Sequence, residues 1–405
     1  MQNSVFKAGF TLAWGGTLTN LTSNRLDIVN RFDAGREVQT AFYDRNQRYI
    51  DCPNCAWGWN PTEGGDKYKH GSVVVEKTLS SNSFYVKTLA NEWNPDGKGG
   101  GSTTPVPSDV YIEKWVSFVP NFPNVIKMHY KITHSGADDH SRIAQGFPGV
   151  FLNNTFNTLV TYSGLSPWTS DAVSTRTLVT TSTPFAIADS TGNLYASESW
   201  QSLVNSAGNG LTVFVPGQQL YVSATSYGGS TGPTGQSTMF MRPNAPYAFS
   251  SQGVLEGDIY LVVGTSANAR NTIYSLKDSL TWPSHLFDLI GRVDRPAVNS
   301  VASGTTLISG WAFDSLAPVT GMKVYVNGNF EGDANYGLSR GDVVAAFPNA
   351  PANSGFNYNL DTTKYLDGFA TVSLIATYAD GAQSTLHDLP ITILNLIQSS
   401  SSPGL

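Results

Sequence analysis

From Val5 to about Leu280, apolar residues recur in short runs, often with a period of two, separated by clusters of Gly, Pro, Asn and Ser. The clearest case is Val125–Ile132. Ile126, Met128, Tyr130 and Ile132 fall on one side and Lys127, His129 and Lys131 on the other. This predicts a half-buried antiparallel strand with one wet face. Val110–Val119 is apolar on both sides apart from Glu113, Lys114 and Ser117, and reads as a more central strand. Val73–Val75, Phe84–Val86, Leu211–Val215, Gln219–Thr225 and Asp258–Val263 are further strands. No long amphipathic helix emerges, and the best short helical candidate is Ser284–Ile290. The pattern restarts at Gly291–Pro296 and runs to about Leu396, the length of one small sandwich. The expectation is an all-β chain: a large antiparallel sandwich over 1–288, a small sandwich over 292–397 and a disordered tail over 398–405.

Composition narrows the class. Charged residues make up 13% of the chain, against ~25% in ordinary soluble domains, while there are 39 Gly and 12% aromatics. That is the profile of a turn-rich secreted or cell-surface β protein. Met1-Gln2-Asn3-Ser4 reads as a start placed on a mature chain, so no signal peptide is expected. The net charge of −6 and the lack of a Lys/Arg stripe argue against a nucleic-acid groove. No run of about 18 apolar residues predicts a membrane span. The oligomeric state leaves no trace in the pattern. The only cysteines, Cys52 and Cys55, are expected to form a short-loop disulfide. A zinc site would need a second such pair, and a redox motif would need a strand leading into a helix.

Candidate chemistry concentrates in Trp57–Ser72, too rich in glycine and too irregular to be a strand or a helix. A loop carrying Trp57, Trp59, Asn60, Glu63, Asp66, Lys67, Tyr68, Lys69 and His70 can stack on, hydrogen-bond to or protonate a sugar. Glycoside hydrolysis needs two carboxyls across the scissile bond. Glu63 and Asp66 are the first candidates and Glu198, two residues before Trp200, the best distant partner. The plainer reading has Asp66 capping a turn, Glu63 solvated and Glu198 an ordinary edge-strand acid. Arg36, Gln39, Trp57, Trp59, Asn60, His70 and Trp200 are the expected substrate-binding set. Arg36 after Gly35 can fork a carboxylate or sugar hydroxyls, or pair with Asp33 or Glu37. A lyase or epimerase would instead use Tyr68 or His70 with Arg36, Gln39 and Asn60. A binding protein without chemistry would need only stacking platforms, such as Trp57, Trp59, Trp93 and Trp168. No other cofactor is expected. His134-Ser135-Gly136-Ala137-Asp138-Asp139-His140 reads first as a capped turn. The metal it would favour is a calcium ion held by Asp138, Asp139 and backbone carbonyls.

Two resemblances add to this reading. Gly35-Arg36-Glu37-Val38-Gln39, Trp59-Asn60-Pro61 with Gly65-Asp66, Glu198-Ser199-Trp200 and Gly210-Leu211-Thr212-Val213 resemble galactose-mutarotase-like proteins. The resemblance implies a large antiparallel β-supersandwich and a carbohydrate-active protein, and no catalytic pair carries over from it. Gly310-Trp311-Ala312, Val324-Tyr325-Val326-Asn327-Gly328, Arg340-Gly341-Asp342-Val343 and Asn353-Ser354-Gly355-Phe356 resemble a bacterial immunoglobulin-like β-sandwich appended to secreted enzymes. Together they imply a secreted protein acting on a poly- or oligosaccharide, with glycoside hydrolysis the first expectation, elimination or epimerisation the second and binding alone the third.

Overall fold

The computed structural model describes residues 1–44, 58–96, 98–163, 167–178, 195–196, 198–216, 220–221, 224–242, 246–249, 251–280, 289–314, 318–347, 350–379, 381 and 383–395. Trp57, Cys52, Cys55 and the tail 398–405 lie outside the described residues. The chain forms two compact units, Met1–Phe249 with Leu255–Trp282, and Ser250–Val254 with Pro283–Leu405.

Among the described residues, the first unit is built on a 17-stranded antiparallel system that turns back on itself as a sandwich. One limb runs through Val73–Leu79, Ser83–Glu92, Pro107–Val119, Phe122–His134, Val254–Thr265, Asn209–Phe214, Trp200–Val204, Thr158–Thr161 and Ser174–Thr177. The other runs through Phe6–Thr11, Thr17–Ser23, Val38–Ala41, Gly146–Asn153, Thr238–Met241 and Ala224–Tyr227. The two-residue strand Pro61–Thr62 joins them. Thr62 pairs with Ala41 of one limb and with Asn91 of the other, and Pro61 pairs with Glu92.

The alternation at Val125–Ile132 is realised: Ile126, Met128, Tyr130 and Ile132 are buried while Lys127, His129 and Lys131 are half-exposed. Leu18, Val38, Val150, Leu152 and Met241 of one limb share a single core with Val86, Ile112, Met128, Leu211 and Leu261 of the other. Each such side chain, once buried, contributes roughly 1.5–3 kcal/mol. Val110–Val119 differs from its expectation. It is central in the sheet, yet it has one wet face, and the charged residue turned inward is Lys114, fully buried.

A helix, Ser266–Ser279, packs on the outer face of the longer limb. Thr265 caps it by accepting from Asn268 N–H at 3.2 Å. Ala269, Ile273 and Leu276, spaced four and three apart, bury against Trp200, Phe214 and Tyr260. The apolar stripe is three residues wide in a sequence otherwise polar, which is why periodicity alone passed over it. The helix expected at Ser284–Ile290 does not end as a helix, because Leu289 opens the strand Leu289–Arg295; residues 284–288 lie outside the described residues.

The second unit is a smaller sandwich, of eight strands among the described residues. Its buried centre includes Ile308, Val324, Phe356, Leu374 and Ile391. The strands Val319–Val326 and Asn329–Leu338 are joined by Asn327 and Gly328 at φ of 51° and 80°, the left-handed pair that a two-residue hairpin turn demands.

Candidate functional site

A cavity of about 400 Å³ opens in the first unit on the face of the shorter limb turned away from the core. The period of two puts it there. Val38, Val150, Leu152, Met239 and Met241 point into the core, and Gln39, Ala41, Gly149, Phe151 and Phe240 alternate with them to line the cavity. Asp33 and Arg36 enter from the segment before Val38–Ala41, and Tyr43 from the segment after it. Asn60 and Thr62 come from the joining strand, Tyr227 and Arg242 from the ends of neighbouring strands, and Trp93 and Asn94 from the end of Ser83–Glu92. Gly146 and Gly149 contribute no side chain, which leaves space above the sheet. A Cβ at Gly35 would overlap the Trp93 ring, so the indole packs directly against bare backbone.

Two cations meet two phenols here. The Arg36 guanidinium carbon lies 5.9 Å from the centroid of Tyr227 and 4.6 Å from that of Phe32. Arg242 lies 5.2 Å from the centroid of Tyr43. Arg36 also donates to the Gln236 carbonyl and sits 3.5 Å from Asp33 Oδ2. Burial lowers the Arg36 pKa, against the pull of Asp33 and Tyr227. Burial raises the phenol of Tyr227, helped by Tyr43 and opposed by Arg36 and Arg242. Asp33 is the single carboxylate of the lining among the described residues, and it accepts from Gly35 N–H at 3.1 Å besides facing Arg36.

The structure separates the residues singled out from sequence. Arg36, Gln39 and Asn60 line the cavity. Gln39 also donates to the Arg36 carbonyl at 2.9 Å and accepts from Gly64 N–H at 2.6 Å, which fixes the turn carrying Arg36. Asn60 donates to the Phe42 carbonyl at 2.8 Å. Glu63, Asp66 and Glu198 do not line it; all three are fully buried. Glu63, expected in solvent or at a sugar, ion-pairs with Lys114 and accepts from Thr40 N–H at 2.9 Å. Lys114 in turn donates to the Gly16 carbonyl at 2.8 Å. Asp66 caps its own turn, accepting from Tyr68 N–H and His70 N–H at 2.9 Å each, and its second oxygen sits 2.7 Å from His70 Nδ1. Tyr68 donates to Asp96. Glu198 accepts from Arg270, Tyr274 and the Trp200 indole, so both Glu198 and Trp200 belong to the seat of the helix. Trp59 stacks on His140, with centroids 3.6 Å apart. Asp138 faces His134 and His140, and both Asp138 and Asp139 are exposed.

Tyr43, Tyr227, Phe240 and Arg242 are cavity residues that motif reading did not reach. Their signal lay in the alternation itself, since each falls on the polar or outward phase at or next to a strand end.

No family model matches the chain, and no curated protein sequence matches it. Among solved structures it is similar to a polysaccharide lyase, at 8% identity over 98% of this chain and 48% of that one, with a TM-score of 0.37. It is also similar to a candidate aldose 1-epimerase from Klebsiella pneumoniae subsp. pneumoniae MGH 78578, at 13% identity over 68% of this chain and 81% of that one, TM-score 0.37. A candidate mutarotase from Salmonella typhimurium matches at 8% identity over 65% of this chain and 89% of that one, TM-score 0.35. The chain spans about half the length of the lyase. At this level of identity and superposition nothing about activity transfers.

Proposed function

We propose that the protein is a secreted, carbohydrate-active protein that takes an acidic saccharide into this cavity and cleaves it by β-elimination. The observation that carries the reading is the pairing of Arg36 with Tyr227 and of Arg242 with Tyr43 around one cavity. In a chain of net charge −6, Arg36 and Arg242 outnumber Asp33 in the lining among the described residues, which favours an anionic ligand. Guanidinium is the group that best matches a planar carboxylate. Hydrolysis would need two carboxyls about 5–5.5 Å or about 6.5–9.5 Å apart, and among the described residues the lining holds one, Asp33.

The step follows from the groups present. The arginines neutralise the uronate carboxylate and stabilise the negative charge that develops when the proton beside it leaves. Tyr43, placed beside Arg242, is the base that takes that proton. The C4–O bond breaks, a C4–C5 double bond forms, and Tyr227 gives its proton to the departing oxygen. Burial keeps Tyr227 protonated, as a proton donor must be. The two phenols then exchange the proton through solvent. Trp93, Phe151 and Phe240 supply apolar faces for the sugar rings.

Neutral and acidic polysaccharides, incubated with the protein and followed for reducing ends and for the ultraviolet absorbance of an unsaturated uronate, test this. The expected result is that both signals rise with uronate polymers alone, and that Tyr227→Phe lowers kcat by about 100-fold or more. Reducing ends without the absorbance would return the protein to hydrolysis. Retention on an immobilised polysaccharide with neither signal would leave binding alone.

A further inference from the structure

We propose that Asp109, His134, Asp138 and His140 hold one divalent transition-metal ion, with zinc the expected occupant. One ligand atom from each of the four lies within 4.8 Å of all the others. His134 Nε2 is 3.2 Å from Asp109 Oδ2 and 3.7 Å from Asp138 Oδ1, and His140 Nε2 is 3.9 Å from Asp138 Oδ2. Donors about 2.0–2.2 Å from a tetrahedral zinc stand roughly 3.4 Å from one another, so small rotamer changes bring the four into a coordination sphere.

The outer groups have the arrangement a metal site uses. The second nitrogen of His140, Nδ1, is 3.0 Å from Asp44 Oδ2, which leaves Nε2 turned toward the other ligands. The Trp59 indole donates to Asp109 Oδ1 at 2.8 Å, which orients the carboxylate so that Oδ2 faces His134. The same indole stacks on His140 and meets His134 edge-on, covering the set from the core side. Gly136 lies so close that a Cβ there would overlap Asp109, His134 and Asp138 together. The strand ends carrying Asp109 and His134 are tied by Ser135 N–H to the Asp109 carbonyl at 2.7 Å.

The donor set selects the metal. Two imidazoles with two carboxylates suit zinc and its neighbours, whereas calcium takes six to eight oxygens. The calcium ion that the sequence offered as the alternative to a capped turn would use Asp138 and Asp139; here Asp138 faces two imidazoles. The ion would be structural, because four protein donors close a tetrahedral shell; Asp44 and Trp59 behind it adjoin the cavity residues Tyr43 and Asn60 in sequence.

The test uses the full chain, stripped with a chelator, dialysed and titrated with zinc chloride by calorimetry, with metal content and thermal midpoint measured in parallel. One equivalent binds and the midpoint rises. His134→Ala weakens binding at least 100-fold, and Asp44→Asn weakens it about 10- to 100-fold. Because Asp138 is exposed, with 55% of its side chain accessible, Asp138→Asn keeps the fold and reads binding alone. Its metal-free circular dichroism and midpoint match wild type while zinc affinity falls at least 10-fold. Three results would overturn the site: no saturable zinc binding by wild type, unchanged affinity in both His134→Ala and Asp138→Asn, or stabilisation by calcium chloride rather than zinc.

Discussion

Replacing Glu198 by Gln isolates the contact that holds the helix Ser266–Ser279 on its sheet. Oε1 accepts from Arg270 Nη2 at 2.7 Å, Tyr274 OH at 2.6 Å and Trp168 N–H at 2.8 Å. Oε2 accepts from Arg270 Nε at 3.0 Å and Trp200 Nε1 at 2.7 Å. An amide offers one acceptor oxygen, so whichever way it turns, its NH₂ faces at least two donors. The Arg270 charge then loses its buried counter-ion. Breaking such a pair from one side costs about 3–5 kcal/mol. At about 2–4 °C per kcal/mol for a unit of this size, the melting temperature falls by roughly 10 °C. Burial by itself raises the Glu198 pKa, but hydrogen bonds from Arg270 and Tyr274 outweigh it and hold the group below its usual 4.5. A depressed folded pKa contributes stability above the unfolded value and loses it as pH falls through the folded one. The gap between wild type and variant therefore narrows on acidification below about pH 4.5. Melts followed by circular dichroism at neutral and acidic pH read both effects. A loss of less than about 1 kcal/mol at neutral pH, or a gap that widens in acid, would refute the reasoning.

Three other outcomes follow from the same geometry. Gly35→Ala pushes a methyl into the Trp93 ring, costs about 1–3 kcal/mol as overpacking and weakens saccharide binding, with tryptophan fluorescence reporting the displaced indole. Lys114→Met strands the fully buried Glu63 and costs about 3–5 kcal/mol in a denaturant melt, whereas the double variant Lys114→Met with Glu63→Leu regains most of it. His129 is raised from 6.5 to about 9, chiefly by hydrogen bonds to Asp258 and Glu256. Its contribution is complete below pH 6.5 and is lost as pH rises through about 9, so the urea midpoint falls over that interval in wild type and stays flat in His129→Gln.

The strand pattern was legible because period-two burial is written directly into residues such as Ile126, Met128 and Tyr130. The helix was not, because Ala269, Ile273 and Leu276 make too narrow a stripe to stand out before Glu198 and Arg270 bring their own partners. In the site, Arg36, Gln39 and Asn60 were readable as groups able to meet a sugar. The carboxylates misled because a loop acid and a buried structural acid are the same letter. What distinguishes Glu63 is Lys114, fifty-one residues away, and that pairing exists only once the sheets close. Arg242 and Tyr227 were hidden for the same reason, since they meet Arg36 and Tyr43 across strands distant in sequence.

The two-residue strand Pro61–Thr62 has a consequence for how the sandwich opens. Phe42 N–H donates to Pro61, Glu63 N–H to Thr40 and Trp93 N–H to Asn60, so one short segment is bonded on both flanks. Neither limb can peel from that edge without exposing amides of the other. Amide exchange at Phe42, Glu63 and Trp93 is therefore expected to follow one shared opening event, making this corner a single cooperative unit instead of two independent edges.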